Sequence, residues 1–431
     1  MYNRLKHKIK LKKFSVGIIG LGYVGLPLAI KYINKGIKVF GIDQDKAKIE
    51  KHKNGNSYID SIKTNYFKKN PERVSTKYSL LKKCDIIFIC LPTPLKNKKP
   101  DLSYIFDCAK NLRPYINFGK LIILESTVYP GVTRQLKKLI LEKNFEVGKD
   151  VFIGYSPERE NPGDKNFSYK KTPKVISGYT KNCLHLVDLV YSYIASTRHK
   201  TPSLEIAETS KLLENLYRAV NIGLVNEFKM ICHKLNIDVL EVINAAASKN
   251  FGFKKFEPGP GWGGHCIPID PFYLSWLSIK NGYDPELIKS TGTINHNMPA
   301  WILKRVLSFF SKKKIKKIKI ILLGISYKKN VDDDRESPAF HFMKILDKKK
   351  IRYDYSDPFF EKIRSGRKVN KVIKSINLNS KNLKKYDCAI VLADHDLFDY
   401  QLIAKNSKVV FDTRGIYKKL KYKKIKNIIN V

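Results

Sequence analysis

Short, unbroken apolar runs recur along the first third of the chain, each closing on a glycine, a proline or an acidic residue. They are Phe14 to Gly20, Lys38 to Ile42, Cys84 to Cys90, Lys120 to Leu124 and Val151 to Gly154. Runs this short and this uniformly apolar predict strands buried on both faces, as in a parallel sheet, and the stretch from Leu26 to Asn34 between the first two predicts a helix. From about Pro202 the pattern changes. Ala207 to Leu235 has no internal proline, and Leu212, Leu213, Leu216, Val220, Leu224, Phe228 and Ile231 form an apolar stripe at helical spacing. Lys211, Asn215 and Arg218 recur at i, i+4 and i+7 beside it, one polar face on a helix long enough (over about 40 Å) to bridge two domains. Such a face is either solvated or functional.

Further helical pattern reaches Lys249 and, after an irregular stretch, continues through Trp301 to Phe310. The opening schedule then repeats. Lys317 to Leu323 predicts a strand reaching Gly324, Ser337 to Asp347 a helix, and Arg352 to Tyr355 a strand ending near Asp357. Tyr386 to Leu392 and Lys408 to Asp412 complete the echo.

The first strand runs into Gly20-Leu21-Gly22-Tyr23-Val24-Gly25, with a helix after it and Asp43 closing the next strand. In that context the glycines predict a tight turn that lets a pyrophosphate approach a helix N-terminus, and Asp43 an acceptor for a ribose 2′-hydroxyl. Asp43 would repel a 2′-phosphate by about 4 kcal/mol at ~4 Å and an effective dielectric near 20, so NAD is expected over NADP. Thr93, Thr127 and Glu158 follow the ends of later strands, where the ligand crevice of such a sheet lies; each also suits plain turn chemistry. The fold class is therefore α/β: two Rossmann-like doubly wound parallel-sheet domains joined by a central helical domain with one long helix. The expected divisions are a basic tail (1–13), an NAD-binding domain (14–201), a central helical domain carrying a cysteine loop (202–310) and a second Rossmann-like domain (311–431). In this last domain Gly324-Ile-Ser-Tyr-Lys-Lys lacks the second and third glycines, and Lys328 stands where backbone amides would cradle a dinucleotide; that suits a nucleotide diphosphate bound differently.

A chain of 431 residues fits two or three domains, and 43% hydrophobic content supplies their cores. No apolar run reaches the roughly 18 residues of a membrane span, and Met1 to Lys13 has no signal-peptide core. The net charge of +43 would suit a nucleic-acid binder. Only 13 of the 82 basic residues are Arg, however, and the lysines are spread widely, so no nucleic-acid or membrane partner is expected. Seven scattered cysteines without a Cys-x-x-Cys pair argue against disulfides and metal, and for a reducing, cytoplasmic setting.

Phe256 to Pro271 holds four Gly and four Pro in sixteen residues, a composition that excludes helix and strand and predicts a fixed loop. Gly263-Gly264 permit close approach, and Cys266 precedes Asp270 by four residues. A thiol so presented is either a small buried hydrophobe or a nucleophile.

With Pro92-Thr-Pro94, Glu125-Ser-Thr-Val128, Ser156-Pro-Glu158, Lys211-Leu-Leu-Glu-Asn215, Gly263-Gly-His-Cys266, Asp270 and Asp334-Arg-Glu-Ser337 in this order, the chain after residue 13 resembles the UDP-glucose/GDP-mannose dehydrogenase family. Ser156 to Gly163 and Gly264 to Pro271 look like its branch acting on N-acetylated sugars. The resemblance implies a four-electron oxidation of a sugar C6 alcohol to a carboxylate with two NAD per sugar. It makes Cys266 the covalent nucleophile, and Lys211 and Asn215 stabilisers of oxyanions. Asp270 with Thr127 would position a water, and Glu158 would act in thioester hydrolysis. It further implies NAD contacts from Gly20, Gly22, Tyr23, Val24, Gly25, Asp43, Thr93, Thr127 and Arg335. UDP-sugar contacts would come from Arg159, Glu160, Lys211, Asn215, Arg218, Gly263, Tyr327, Lys328 and Arg414. Arg159-Glu160-Asn161-Pro162 departs from the glucose-type pattern, and His265 reads as a branch marker with a backbone role. Asn250 to Lys255 falls where the family reaches into a neighbouring subunit, so a homodimer or higher oligomer is expected.

Overall fold

The structure is a computed structural model and describes residues 1–57, 64–97, 99–141, 145–159, 172–315, 317–363, 373–422 and 425–431. Two compact units divide the chain. The first comprises Met1–Glu214 with Phe272–Leu277, and the second Asn215–Pro271 with Ser278–Val431.

The first unit is built on an eight-stranded sheet of β1 (Ser15–Ile19), β2 (Lys38–Ile42), β3 (Val74–Ser75), β4 (Ile86–Ile89), β5 (Leu121–Leu124), β6 (Phe152–Tyr155), β7 (Lys174–Gly178) and β8 (Arg198–Lys200). Its order is β8-β7-β6-β5-β4-β1-β2-β3. Six successive strands, β6-β5-β4-β1-β2-β3, carry the dinucleotide-fold order and pair in parallel. Every residue of β1, β4, β5 and β6 is buried, which is why these strands read as continuous apolar runs. The parallel-sheet fold is present, with one antiparallel pairing added next to the edge strand β8, where β7 joins β6 through Gly154 and Gly178. The basic start is an ordered helix, α1 (Tyr2–Lys10), with Leu5 and Ile9 buried. The Lys8 ammonium lies 2.6 Å from Asp85, and the Tyr193 hydroxyl donates to the Ile9 carbonyl at 2.5 Å.

In the second unit β9 (Lys319–Leu323), β10 (Arg352–Ser356), β11 (Cys388–Val391), β12 (Val410–Asp412) and β13 (Ile428–Asn430) form a parallel sheet of order β10-β9-β11-β12-β13. This is the five-stranded doubly wound order, the same architecture without the first unit's extra strands. The internal echo is physical. In the first unit the Asp85 carboxylate accepts from the Ser15 backbone N–H at 3.0 Å; in the second, Asp387 accepts from Lys319 N–H at 2.8 Å. Ile302, Val306 and Phe310 of helix α5 (Glu286–Lys312), together with Phe342, Met343 and Leu346, cover one face of the sheet.

The long helix is α3 (Leu204–Lys234); residues up to Glu214 belong to the first unit and the rest to the second. Here the apolar stripe reads differently from its sequence. Leu213, Leu224 and Ile231 are exposed, whereas Ala219, Gly223, Asn226 and Lys229 are buried. Small and polar groups face inward because α5 crosses closely. A Cβ on Gly223 would lie 3.1 Å from Thr291 Cγ2, and Asn226 Nδ2 donates to Asn295 Oδ1 at 2.8 Å. Among the described residues no helix is long and apolar enough to cross a membrane.

Gly324 closes β9 with φ +84°, and a Cβ there would sit 2.6 Å from Ala393 Cβ and 2.8 Å from its carbonyl oxygen. Gly324→Ala combines the left-handed cost with overpacking, so it should destabilise the second unit by about 2–4 kcal/mol in urea titration. Gly36→Ala, at φ +73° in open space, should cost only about 1 kcal/mol.

Candidate active site

The glycine loop divides its work among three positions. Gly20 takes φ +91° and abuts the Cys90 carbonyl, where a Cβ would approach to 2.5 Å. Gly25 opens α2 (Gly25–Ile33) and must lack a Cβ, which would fall 1.9 Å from Gly20 O. At Gly22 a Cβ meets nothing within 4 Å, so its surroundings are open. A turn glycine, a packing glycine and an open one at the start of a helix make a cradle that fits a pyrophosphate. Asp43 stands beside it, accepting from Leu21 N–H at 3.0 Å and from Asp45 N–H at 3.0 Å, with Lys48 at 3.7 Å. At the ends of β4 and β5, the Thr93 hydroxyl donates to the Thr127 carbonyl at 2.9 Å, joining the two threonines read from the sequence.

Glu158 follows β6 and belongs to a charged cluster that the sequence did not announce. Lys174 of β7 bonds the Glu125 carboxylate at 2.7 Å and lies 3.6 Å from Glu158. Glu125 also accepts from the Tyr191 hydroxyl. Burial pushes Glu125 upward against the pull of Lys174. Burial likewise lowers neighbouring Lys31 to about 8, although Glu158 and Glu125 oppose it. Removing one partner from so deeply buried an ion pair costs about 3–5 kcal/mol, so Lys174 is structurally fixed beside Glu158. Arg159 pairs with Glu214 at 2.6 Å. Lys211 is buried in the first turns of α3, and Glu160 lies outside the described residues.

The second unit carries the thiol. Cys266 is half-buried, unlike the other six cysteines, all of which are buried. Its carbonyl accepts from Ile269 N–H at 3.1 Å and Asp270 N–H at 2.8 Å, a turn that leads into α4 (Asp270–Lys280). Asp270 is only 2% exposed, and its Oδ2 accepts from Asn215 Nδ2 at 2.5 Å. Sequence expectation put both residues at the site, and the structure joins them directly.

Two glycines hold the loop from the other side. Gly264 N–H donates to the Arg335 carbonyl at 2.9 Å. Cβ atoms on Gly263 and Gly264 would lie 2.7 and 2.9 Å from the Tyr327 side chain, so only glycine lets that ring lie against the loop. Burial pushes the Tyr327 hydroxyl up to about 12, leaving it a hydrogen-bond donor at neutral pH. Burial also lowers His265 to about 4, helped by the Arg335 charge and opposed by Asp333. Its imidazole is therefore neutral in ordinary assays. Arg335 grips Asp333 through Nε at 2.9 Å and Nη2 at 2.6 Å.

Asp357 is the counterpart of Asp43, and sequence reading stopped short of its role. Its Oδ2 accepts from Ile325 N–H at 2.6 Å and Ser326 N–H at 3.1 Å, while His395 Nε2 lies 3.3 Å away. His395 Nδ1 accepts from Asn330 N–H at 3.0 Å. The pair thus holds both ends of the loop that presents Tyr327 and Lys328. The signal was available: an acidic residue closing the second strand of each half. Of the remaining expected contacts, Arg218 is exposed, and Arg414 donates from Nε to the Leu392 carbonyl at 2.9 Å and lies against Gly259. Gly20, Gly22, Tyr23, Val24, Gly25, Asp43, Thr93, Thr127, Glu158 and Lys211 belong to the first unit; Asn215, Cys266, Asp270, Tyr327, Lys328, Arg335 and Arg414 belong to the second.

Comparison with known proteins agrees along the whole chain. Residues 14–195 match the NAD binding domain of the UDP-glucose/GDP-mannose dehydrogenase family, residues 205–297 its central domain and residues 321–419 its UDP binding domain. Protein CapL of Staphylococcus aureus is 35% identical over 93% of this chain and 96% of its own. The UDP-N-acetyl-D-glucosamine 6-dehydrogenase of Salmonella typhi is 33% identical over 94% and 97%. The solved UDP-N-acetyl-D-mannosamine dehydrogenase of Pyrococcus horikoshii superposes with a TM-score of 0.81 at 30% identity, covering 93% of this chain and 96% of that one. With three consecutive domains matched and a glycine cradle that fits the cofactor, the chain belongs to the UDP-glucose/GDP-mannose dehydrogenase family, nucleotide-sugar dehydrogenases with an NAD-binding N-terminal domain.

Proposed function

We propose that the chain oxidises C6 of UDP-N-acetylglucosamine from alcohol to carboxylate, for surface polysaccharide biosynthesis in the cytoplasm. The observation that carries this reading is the buried Asn215–Asp270 hydrogen bond beside a half-buried thiol on a rigid glycine loop. NAD, when bound, accepts one hydride in each of the two oxidations. Asp270 and Thr127 position the water that takes the C6 hydroxyl proton. The Cys266 sulfur then bonds to the aldehyde carbon, and its proton passes to the oxygen, giving a thiohemiacetal. Loss of a second hydride and the hydroxyl proton leaves a thioester. Water, activated by Glu158, adds to the carbonyl, and the S–C bond breaks to release carboxylate and thiol. Lys211 and Asn215 donate to the oxygen wherever negative charge develops, the kind of preorganised donor set that contributes most to such steps.

On this reading Gly20, Gly22, Tyr23, Val24, Gly25, Asp43, Thr93, Thr127 and Arg335 contact NAD. Arg159, Glu160, Lys211, Asn215, Arg218, Gly263, Tyr327, Lys328 and Arg414 contact the UDP-sugar. Domains spanning 14–201, 202–310 and 311–431 supply the cofactor site, the thiol and the diphosphate site. A second reading, UDP-N-acetylmannosamine as substrate, is supported by the likeness to the P. horikoshii enzyme. A homodimer is supported by Tyr217, Leu224 and Ile231, exposed by 48–58% along α3 at spacings of seven, with Leu235, 62% exposed, just beyond its end.

Incubation with a panel of UDP-hexoses and NAD should form two NADH per UDP-N-acetylglucosamine consumed; preference for the manno epimer would replace the first reading with the second. Cys266→Ala should lower kcat at least about a thousandfold, and turnover equal to wild type would remove the covalent route. Because His265 is held near 4, His265→Gln should leave the pH dependence of kcat unchanged between about pH 6 and 9. An acid limb lost in that variant would make His265 a proton carrier. Leu224→Lys should shift the mass measured by light scattering from dimer toward monomer.

A further inference from the structure

A cavity of about 270 Å³ lies in the second unit between the end of α3 and the end of β12, and its walls carry Lys229, Arg305, Arg414, Asp412 and Asp238. That volume is below the ~300 Å³ at which drug-sized sites begin, so it suits a small ligand. Lys229 is 7% exposed, its ammonium donates to the Thr413 carbonyl at 3.2 Å, and burial pushes it down to about 7. Arg305 donates to the Asn430 carbonyl at 3.3 Å and lies over the Trp301 ring. Among the described residues, neither these two nor Arg414 has a carboxylate within ion-pair distance.

The two acidic residues of the wall are already committed. Asp412 accepts from the backbone N–H groups of Arg414 at 3.0 Å and Tyr417 at 3.1 Å, and burial raises it. Asp238 caps the following helix and pairs with Lys418. His233, also on the wall, is pushed down by burial and contributes no charge at neutral pH. Three basic side chains with spare donors thus share a small cavity with Asp412, whose charge favours that of the deeply buried Lys229, while Asp238 is taken up by Lys418. Burying basic groups in excess of their counter-charge is costly, and a multivalent oxyanion that accepts from an ammonium and two guanidinium groups offsets that cost.

We propose that the cavity beside Lys229 binds a phosphate-class oxyanion, a site additional to the UDP-sugar contacts and sharing only Arg414 with them. The free anion and the phosphoryl group of a small metabolite offer the same chemistry. Occupancy fixes the Asp412–Tyr417 turn that carries Arg414, and so stiffens the diphosphate end of the substrate site.

The test is thermal unfolding of the full chain in inorganic phosphate, with ionic strength held constant by NaCl. It compares wild type, Lys229→Met, Arg305→Gln and the surface variant Lys289→Gln, each with and without saturating UDP. Phosphate should raise the Tm of wild type and Lys289→Gln equally, and of the two cavity variants by less than half as much, and the effect should persist with UDP present. A parallel arm with glucose 6-phosphate distinguishes the sources, the tighter ligand naming the class. Equal shifts in all four proteins would mean general screening of a lysine-rich surface, and loss of the shift under UDP would mean that phosphate occupies the diphosphate position; either overturns the proposal.

Discussion

The loop that carries Cys266 is held in the first place by one hydrogen bond. Asn215 Nδ2 to Asp270 Oδ2 ties the long helix to the first residue of the helix that follows Cys266. The carboxylate is almost wholly buried, and the 2.5 Å contact gives it the donor that burial demands. The Cys266 carbonyl, accepting from Asp270 N–H, passes that fixity back along one turn. On the far side, Gly264 N–H to the Arg335 carbonyl and the Tyr327 ring against two glycines close the loop. A methyl group on either glycine would collide with Tyr327, so the loop's composition follows from its neighbour. The same glycines that leave no room for a Cβ leave the thiol half-exposed, whereas the other six thiols are sealed in cores where burial raises them or packs them away.

The two sheets show one design put to two uses. Each anchors its first strand to an aspartate before a later strand, and each places an aspartate at the end of its second strand against the first turn. In the first unit that aspartate is only partly engaged, with one carboxylate oxygen on Leu21 N–H, the other on Asp45 N–H, and open space at Gly22. In the second, Asp357 takes two backbone donors and a histidine and is sealed. The carboxylate that lies beside an open glycine turn in one half clamps the Tyr327–Lys328 loop in the other. The second turn, Gly324-Ile-Ser-Tyr-Lys-Lys, has only the first of the three glycines.

Strands and the glycine cradle were legible because a strand buried on both faces has no polar positions to blur it, and because Gly20 and Gly25 are forced by contacts that admit no other residue. Cys266, Asn215 and Asp270 were legible as a motif, though their bond was not, since spacing across 55 residues carries no distance. Three things escaped. The stripe of α3 was read by hydrophobicity alone, but its inner face is set by how closely α5 approaches, which selects Gly223 and Asn226 over leucine. Lys174 could not be read as the partner of Glu125, because a lone lysine in a lysine-rich chain gives no sign of burial. His395 had no local pattern; its role exists only through Asp357 and Asn330, which lie far from it in sequence.

The central claim is a covalent bond between Cys266 and the sugar carbon during turnover. Acid quenching in the steady state with UDP-N-acetylglucosamine and NAD, followed by peptide mass spectrometry, reads that bond directly. The account predicts a nucleotide-sugar acyl adduct on the peptide carrying Cys266 and on no other cysteine peptide. Full turnover with every Cys266 peptide unmodified, or an adduct carried by another residue, would contradict it.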